Sequence, residues 1–137
     1  MRSVLAGLAI VALAACDAPT DSNWTFRGRV DNLLQTPEET TAPWLAIIAP
    51  GVLTVRGFVT TPCWNDQVTL DGNRSGNRLT VQIERQPEQP CTDTRVRTHE
   101  YVALFASLNR GTFDVTITNR IDNPQGVVHF QGTATIE

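Results

Sequence analysis

Thr112-Phe113-Asp114-Val115-Thr116-Ile117-Thr118 alternates polar and apolar residues without a break. In an extended chain successive side chains point to opposite sides, so Phe113, Val115 and Ile117 share one face and the threonines and Asp114 the other. The β-branched residues at 115–118 suit a pleated, half-buried surface. The stretch therefore predicts a strand with one face in a core. Asn109-Arg110-Gly111 before it and Asp122-Asn123-Pro124-Gln125-Gly126 after it carry the glycine, asparagine and proline of turns.

Working outward, Val128, Phe130, Ala134 and Ile136 mark a final strand, with Gly132 the place for a break. Thr94 to Leu108 is long enough for a helix, but Val96, Thr98, Tyr101, Val102 and Phe105 favour a long or bulged strand. Gln67–Leu70 and Leu79–Ile83 flank Asp71-Gly72-Asn73-Arg74-Ser75-Gly76-Asn77, which reads as a hairpin with a seven-residue loop. Val52 to Val59 sets Leu53, Val55, Gly57 and Val59 on one face and Thr54 and Arg56 on the other, after a turn at Pro50-Gly51. Trp44-Leu45-Ala46-Ile47-Ile48 is too short for a lone helix and reads as a buried strand. Trp24 to Val30 alternates again and opens the domain. Seven or eight short strands without an amphipathic helix predict an all-β chain, a single antiparallel β-sandwich rather than a small barrel.

Leu108-Asn109-Arg110-Gly111-Thr112-Phe113-Asp114-Val115 resembles the turn and final-strand pattern of bacterial immunoglobulin-like and fibronectin type III modules, which implies an immunoglobulin-like sandwich. Cys63 and Cys91 depart from that pattern, being too close in sequence for its inter-sheet bridge.

The chain opens with Met1-Arg2-Ser3, an apolar run from Val4 to Ala12, and Leu13-Ala14-Ala15-Cys16. One positive charge, a short apolar core and small residues before a cleavage point make an export signal. The run is too short to cross a membrane, which takes ~20 apolar residues. Leu13-Ala14-Ala15-Cys16 resembles the bacterial lipobox. That resemblance implies cleavage before Cys16 and acylation of its sulfur by a palmitate-class chain, often with a further acyl group on the new amine. At ~0.8 kcal/mol per buried methylene, two or three chains hold a domain on a bilayer. Asp17, directly after the cysteine, resembles the enteric signal that keeps a lipoprotein at the inner membrane. The expected organisation is a signal peptide over 1–15, a lipidated cysteine and polar tether over 16–23, and the sandwich over 24–137. The expected location is the bacterial cell envelope, facing periplasm or exterior.

All 11 basic residues are arginine. Removal of Arg2 with the signal leaves ten against fourteen acids, a formal charge of −4, which disfavours nucleic acid as a partner. The absence of lysine excludes Schiff-base and Ser-Lys chemistry. With Cys16 lipidated, Cys63 and Cys91 are the remaining thiols, and an exported compartment favours one disulfide between them. Gln86-Pro87-Glu88-Gln89-Pro90 carries Cys91 back toward the Cys63 end. A redox pair or thiolate metal site would need a Cys-x-x-Cys or added histidines, and neither is present.

Asp71, Asn73 and Ser75 place oxygens at the first, third and fifth positions before Gly76, like the start of a calcium loop, but the twelfth position is Gln82 and Arg74 sits inside. His99 and His129, read as lying on neighbouring strands with Glu100 or Asp114 nearby, would supply two nitrogens, short of a zinc site. Ser22, Ser75 and Ser107 lie in no Gly-x-Ser-x-Gly turn, and Glu38 and Glu39 point to opposite sides of an extended loop. No cofactor and no metal ligand set is expected. Trp24, Trp44 and Trp64 at element ends either plug a core or form a binding surface, and so few aromatics favour the core. The sequence reading is a non-catalytic envelope module, joined to the membrane through Cys16, that binds an envelope protein or polysaccharide. Trp44, Trp64, Asp71 and Asn73 are its candidate binding residues, and Thr36–Pro43, Asp71–Asn77 and Gln86–Pro90 its candidate loops. The alternatives are a small hydrolase or hydrolase inhibitor, and a metal-binding envelope protein.

Overall fold

Eight strands make up most of residues 23–34 and 42–137, the parts of the chain that this computed structural model describes. They are β1 (Thr25–Asn32), β2 (Trp44–Ala49), β3 (Val52–Thr61), β4 (Gln67–Ser75), β5 (Arg78–Gln86), β6 (Arg97–Ala106), β7 (Gly111–Asn119) and β8 (Val127–Ile136). Two four-stranded sheets, ordered β1-β6-β3-β2 and β4-β5-β7-β8, enclose one core. The chain is the expected all-β sandwich. The signal peptide, Cys16, Asp17, Ser22 and residues 36–41 of the Thr36–Pro43 loop lie outside the described residues.

The alternating heptapeptide behaves as its pattern dictates: Phe113, Val115 and Ile117 are at most 1% exposed. They meet Leu79, Val81 and Ile83 of β5 in their own sheet, and Leu53, Val55, Tyr101, Ala103 and Phe105 from the other. Burying a side chain of this size stabilises the fold by ~1.5–3 kcal/mol. The faces assigned to β3 also hold, with Leu53, Val55 and Val59 in the core. Long β6 runs unbulged between β1 and β3 in continuous antiparallel register.

β2 is a largely exposed edge strand rather than the buried strand expected of Trp44 to Ile48, and three further features differ from the sequence reading. First, β5 and β7 pair in parallel, from Arg78 opposite Asp114 to Ile83 opposite Asn119, so the second sheet is mixed. The cause is topological: the chain leaves the second sheet after β5, runs back through β6 in the first, and re-enters pointing the original way. Second, Asp71 to Ser75 is not a loop. It continues β4 in unbroken register with β5, and only Gly76-Asn77 turn. Gly76, at φ +59°, supplies the positive dihedral of a two-residue hairpin. Gly72 serves packing instead: a Cβ there would overlap the Phe26 ring, which crosses from β1 to lie 5.2 Å from the Phe105 ring. Third, β8 is interrupted not at Gly132 but at His129, where the β7–β8 register shifts between Ile117 and Thr118.

Tyr101 carries an unusual burden. It is fully buried, its hydroxyl has no hydrogen-bond partner among the described residues, and burial pushes its pKa well above the ordinary tyrosine range. An unpaired buried hydroxyl costs about 1–3 kcal/mol. Tyr101→Phe is therefore expected to raise stability, by about 1 kcal/mol in a urea melt; an equal loss would mean that the hydroxyl has a partner.

Candidate binding face

Every inward position of the central strand β6 from Tyr101 to Phe105 is apolar, and so are the outward ones, Val102 and Leu104. Continuous apolar character on a central strand belongs to a strand covered on both faces, yet nothing among the described residues lies over the outer face of this sheet. There Val102 and Leu104 join Thr54 of β3 and Ala46 of β2 in the floor of an open basin of ≈ 470 Å³. Thr54 is only 5% exposed, and its hydroxyl donates to the Ala46 carbonyl at 3.2 Å, which leaves the floor without a free polar group from it.

The rim is arginine and tryptophan: Arg27 and Arg29 of β1 on one side, Arg56 of β3 with Trp44 and Ile48 of β2 on the other. Trp44 is 37% exposed. The Arg56 guanidinium lies 5.7 Å from the Trp44 ring centroid and 3.0 Å from Glu100 Oε1. Arg29 pairs with Asp31 at 3.0 Å, both partners being exposed. Arg27 has no ion pair among the described residues.

A second cluster sits at the end of the sandwich where β3–β4 and β5–β6 connect. Cys63 and Cys91 form a disulfide with Cα atoms 6.0 Å apart. Around it Trp64 N–H donates to Asp93 O at 2.9 Å, and Arg97 Nη1 donates to Trp64 O at 3.0 Å. The guanidiniums of Arg95 and Arg97 both lie over the Trp64 ring, 4.5 and 4.9 Å from its centroid. Glu88 accepts from Asn65, from the Thr92 hydroxyl and from Thr92 N–H. Asp66, fully buried, accepts from Arg85 Nε at 2.7 Å and from Glu88 N–H at 2.9 Å. The Arg95 side chain holds the half-buried Asp93 carboxyl below its usual range.

The histidines do not share a site. His99 lies on β6 and His129 on β8, in different sheets rather than on neighbouring strands. Glu100 turns outward to Arg56, and Asp114 is exposed on β7. His99 is fully buried, with Nε2 2.9 Å from the Thr61 hydroxyl and Nδ1 2.8 Å from Asn32 Oδ1. Hydroxyl, imidazole and carboxamide are arranged in the order of a nucleophilic triad. Thr61, however, is 1% exposed and its hydroxyl also reaches Cys63 O at 3.2 Å, so the line is a buried polar tie across β1, β6 and β3. His129 packs its ring 6.4 Å from that of Tyr101, and its Nε2 is buried without a partner among the described residues.

Burial depresses both histidine pKa values; at His99 the Arg97 charge adds to this while Asp66 opposes it, and at His129 a backbone hydrogen bond with Phe58 opposes it. A base whose folded pKa lies below its unfolded value of ~6.5 takes up its proton first in the unfolded chain, so stability falls as pH drops below ~6.5 and levels off below the folded pKa. Urea melts between pH 7.5 and 5 are expected to show this loss, and a smaller one in His99→Gln. A flat profile would mean that folding leaves the pKa of both rings at its unfolded value.

Of the residues singled out from sequence, Trp44 stands at the basin and Trp64 at the disulfide end. Asp71 and Asn73 are exposed on edge strand β4 of the opposite sheet. Two residues apart on one strand, Asp71, Asn73 and Ser75 line up side by side rather than curling around an ion. Trp24 packs near Phe105, ring centroids 6.2 Å apart, as a plug of the core should; Trp44 lies on the outer face of its sheet instead. Sequence reasoning passed over Arg27, Val102 and Leu104, whose signal was the two-faced apolar run in β6, and over Asp66, which has no sequence signal at all. No protein-family model, curated protein or solved structure matches the chain.

Proposed function

We propose that the chain is a lipid-anchored cell-envelope protein, non-catalytic, which uses the outer face of its β1-β6-β3-β2 sheet to hold a protein partner. The observation that carries the reading is the uncovered basin floored by Ala46, Thr54, Val102 and Leu104 and rimmed by Trp44 and three arginines. Its chemistry favours a protein segment over a polysaccharide. The floor is aliphatic, with the Thr54 hydroxyl already engaged, whereas sugar hydroxyls need paired polar groups. The Trp44 ring is shared with Arg56 rather than free for stacking. An apolar side chain seated on the floor with a carboxylate beside Arg27 would match both surfaces, the bidentate guanidinium supplying direction. The anchor rests on Leu13-Ala14-Ala15-Cys16, which resembles a lipobox.

Two experiments test the two halves. Cys16→Ser should move the protein from the membrane to the soluble fraction; retention on the membrane sinks the anchor. A photo-crosslinking residue at Val102, in cells, should give a discrete protein adduct that Arg27→Glu abolishes. The same residue at Thr69, outward on the other sheet, should give none. Equal adducts from both positions, or none from either, would end the docking reading.

A further inference from the structure

The four edges of the sandwich are not alike. β1 lies against β4 on one side and β2 against β8 on the other. An edge strand exposes a row of unpaired backbone N–H and C=O groups, and soluble proteins commonly guard such rows with charges. β1 carries Arg27, Arg29 and Asp31, and β4 carries Asp71 and Arg74. β2 reads Trp44-Leu45-Ala46-Ile47-Ile48-Ala49, without a charge or a proline, and β8 beneath it carries no charge either. β8 is bulged at its middle; β2 pairs in register with β3 from Trp44 to Ile47 and is bulged only near its end, at Ile48. Ile47 is 49% and Ile48 61% exposed. This uncharged edge, in register over its first four residues, is also the open side of the basin.

We propose that β2 pairs antiparallel with β2 of a second copy of this chain, joining two four-stranded sheets into one of eight. The strand is complementary to itself. With Ala46 opposite Ala46 on the two-fold axis, Leu45 faces Ile47 of the second copy on the inner side, and on the outer side Trp44 faces its Ile48, which the bulge at the end of β2 leaves on the basin side. These are the aromatic–β-branched and aliphatic cross-strand pairs that stabilise antiparallel ladders, with the smallest side chain at the crowded centre. Charge points the same way. Two copies of a net-negative chain repel each other least along an edge whose strands β2 and β8 carry no charge, Glu137 past the end of β8 being the one acid beside Ile47 and Ile48. The nearest like charges on the outer face, Arg56 and its copy, would lie three strand spacings apart, about 14 Å at ~4.8 Å each, beyond the ~8 Å screening length. Pairing also makes the two basins continuous across the axis. It does not depend on what the basin binds.

The test uses the full chain carrying Cys16→Ser, in which Cys63 and Cys91 are already bridged. Sedimentation should give the mass of two chains, and Ile47→Lys, which puts a charge on the edge, should give the mass of one. Ala46→Cys is the register test. Residues opposite each other on antiparallel strands have Cα atoms ~4.5–5.5 Å apart, within disulfide reach, so Ala46→Cys should oxidise to a linked dimer that reductant splits. A monomer at every concentration to the solubility limit overturns the proposal. So does a dimer that survives Ile47→Lys, or one whose Ala46→Cys chains stay unlinked. None of these results bears on the Val102 crosslink, so the failure of either reading is visible separately.

Discussion

Replacing Cys63 and Cys91 together by serine should lower the melting temperature by roughly 10–20 °C, the consequence of losing about 3.5 kcal/mol in a domain of this size. The figure comes from the 28-residue separation of the bridged cysteines, because a cross-link acts mainly by removing conformations from the unfolded chain. What lies inside the loop matters as much as its length. It contains the whole β4–β5 hairpin, half of the second sheet. The bridge thus pins the base of that hairpin to the end of β3 and the approach to β6, across the two sheets. The folded state has other ties there, through Glu88, Asn65 and Thr92, so the double serine variant should keep its native spectrum at low temperature. Differential scanning calorimetry with circular dichroism checks both halves. A shift below about 3 °C would mean that the unfolded chain is already confined without the bridge.

The sandwich was legible because its strands declare one buried face each. Alternation at Phe113, Val115 and Ile117, and at Leu53, Val55 and Val59, needs no partner to be recognised. Partner choice is another matter. Nothing local in β5 or β7 says that they pair in parallel; that follows from β6 crossing between them in the other sheet, a long-range fact. Asp71 to Ser75 misled for a related reason. Its glycine and asparagines carry turn composition, but Gly72 is there to admit Phe26 from β1, a residue more than forty positions away. Short-range chemistry and long-range packing call for the same amino acid, and composition cannot separate them.

The candidate face was half legible. Trp44 stood out as an aromatic at an element end, yet its role depends on which side of β2 it occupies, and that is set by pairing with Arg56 of β3. Val102 and Leu104 were visible as apolar residues, but a helix, a bulge or a doubly covered strand all fit the run until β6 is placed between β1 and β3. The histidines show the opposite failure. Two rare titratable residues invite a catalytic reading, and the fold distributes them to separate sheets, one tied to Thr61 and Asn32, the other stacked near Tyr101.

Arg85→Ala should destabilise the domain by about 3–5 kcal/mol, more than Asp66→Ala, for which about 2–3 kcal/mol is expected. Counting contacts gives the reverse order, since Asp66 accepts two hydrogen bonds and Arg85 Nε donates one of them. Burial decides it. The Asp66 side chain is 0% exposed and that of Arg85 is 23% exposed. Without Arg85 the carboxylate is left inside with only the Glu88 N–H, and an uncompensated buried charge is the expensive outcome. Without Asp66 the guanidinium has a path to water, and the loss is the orphaned Glu88 N–H together with the bond itself. It follows that Asp66→Ala added to Arg85→Ala should restore about 1–2 kcal/mol, because the second change removes the stranded charge. Chemical denaturation of the two single variants and the double variant measures all three. If the double variant is less stable than Arg85→Ala alone, the pair is held by its hydrogen bonds rather than by mutual neutralisation of buried charge.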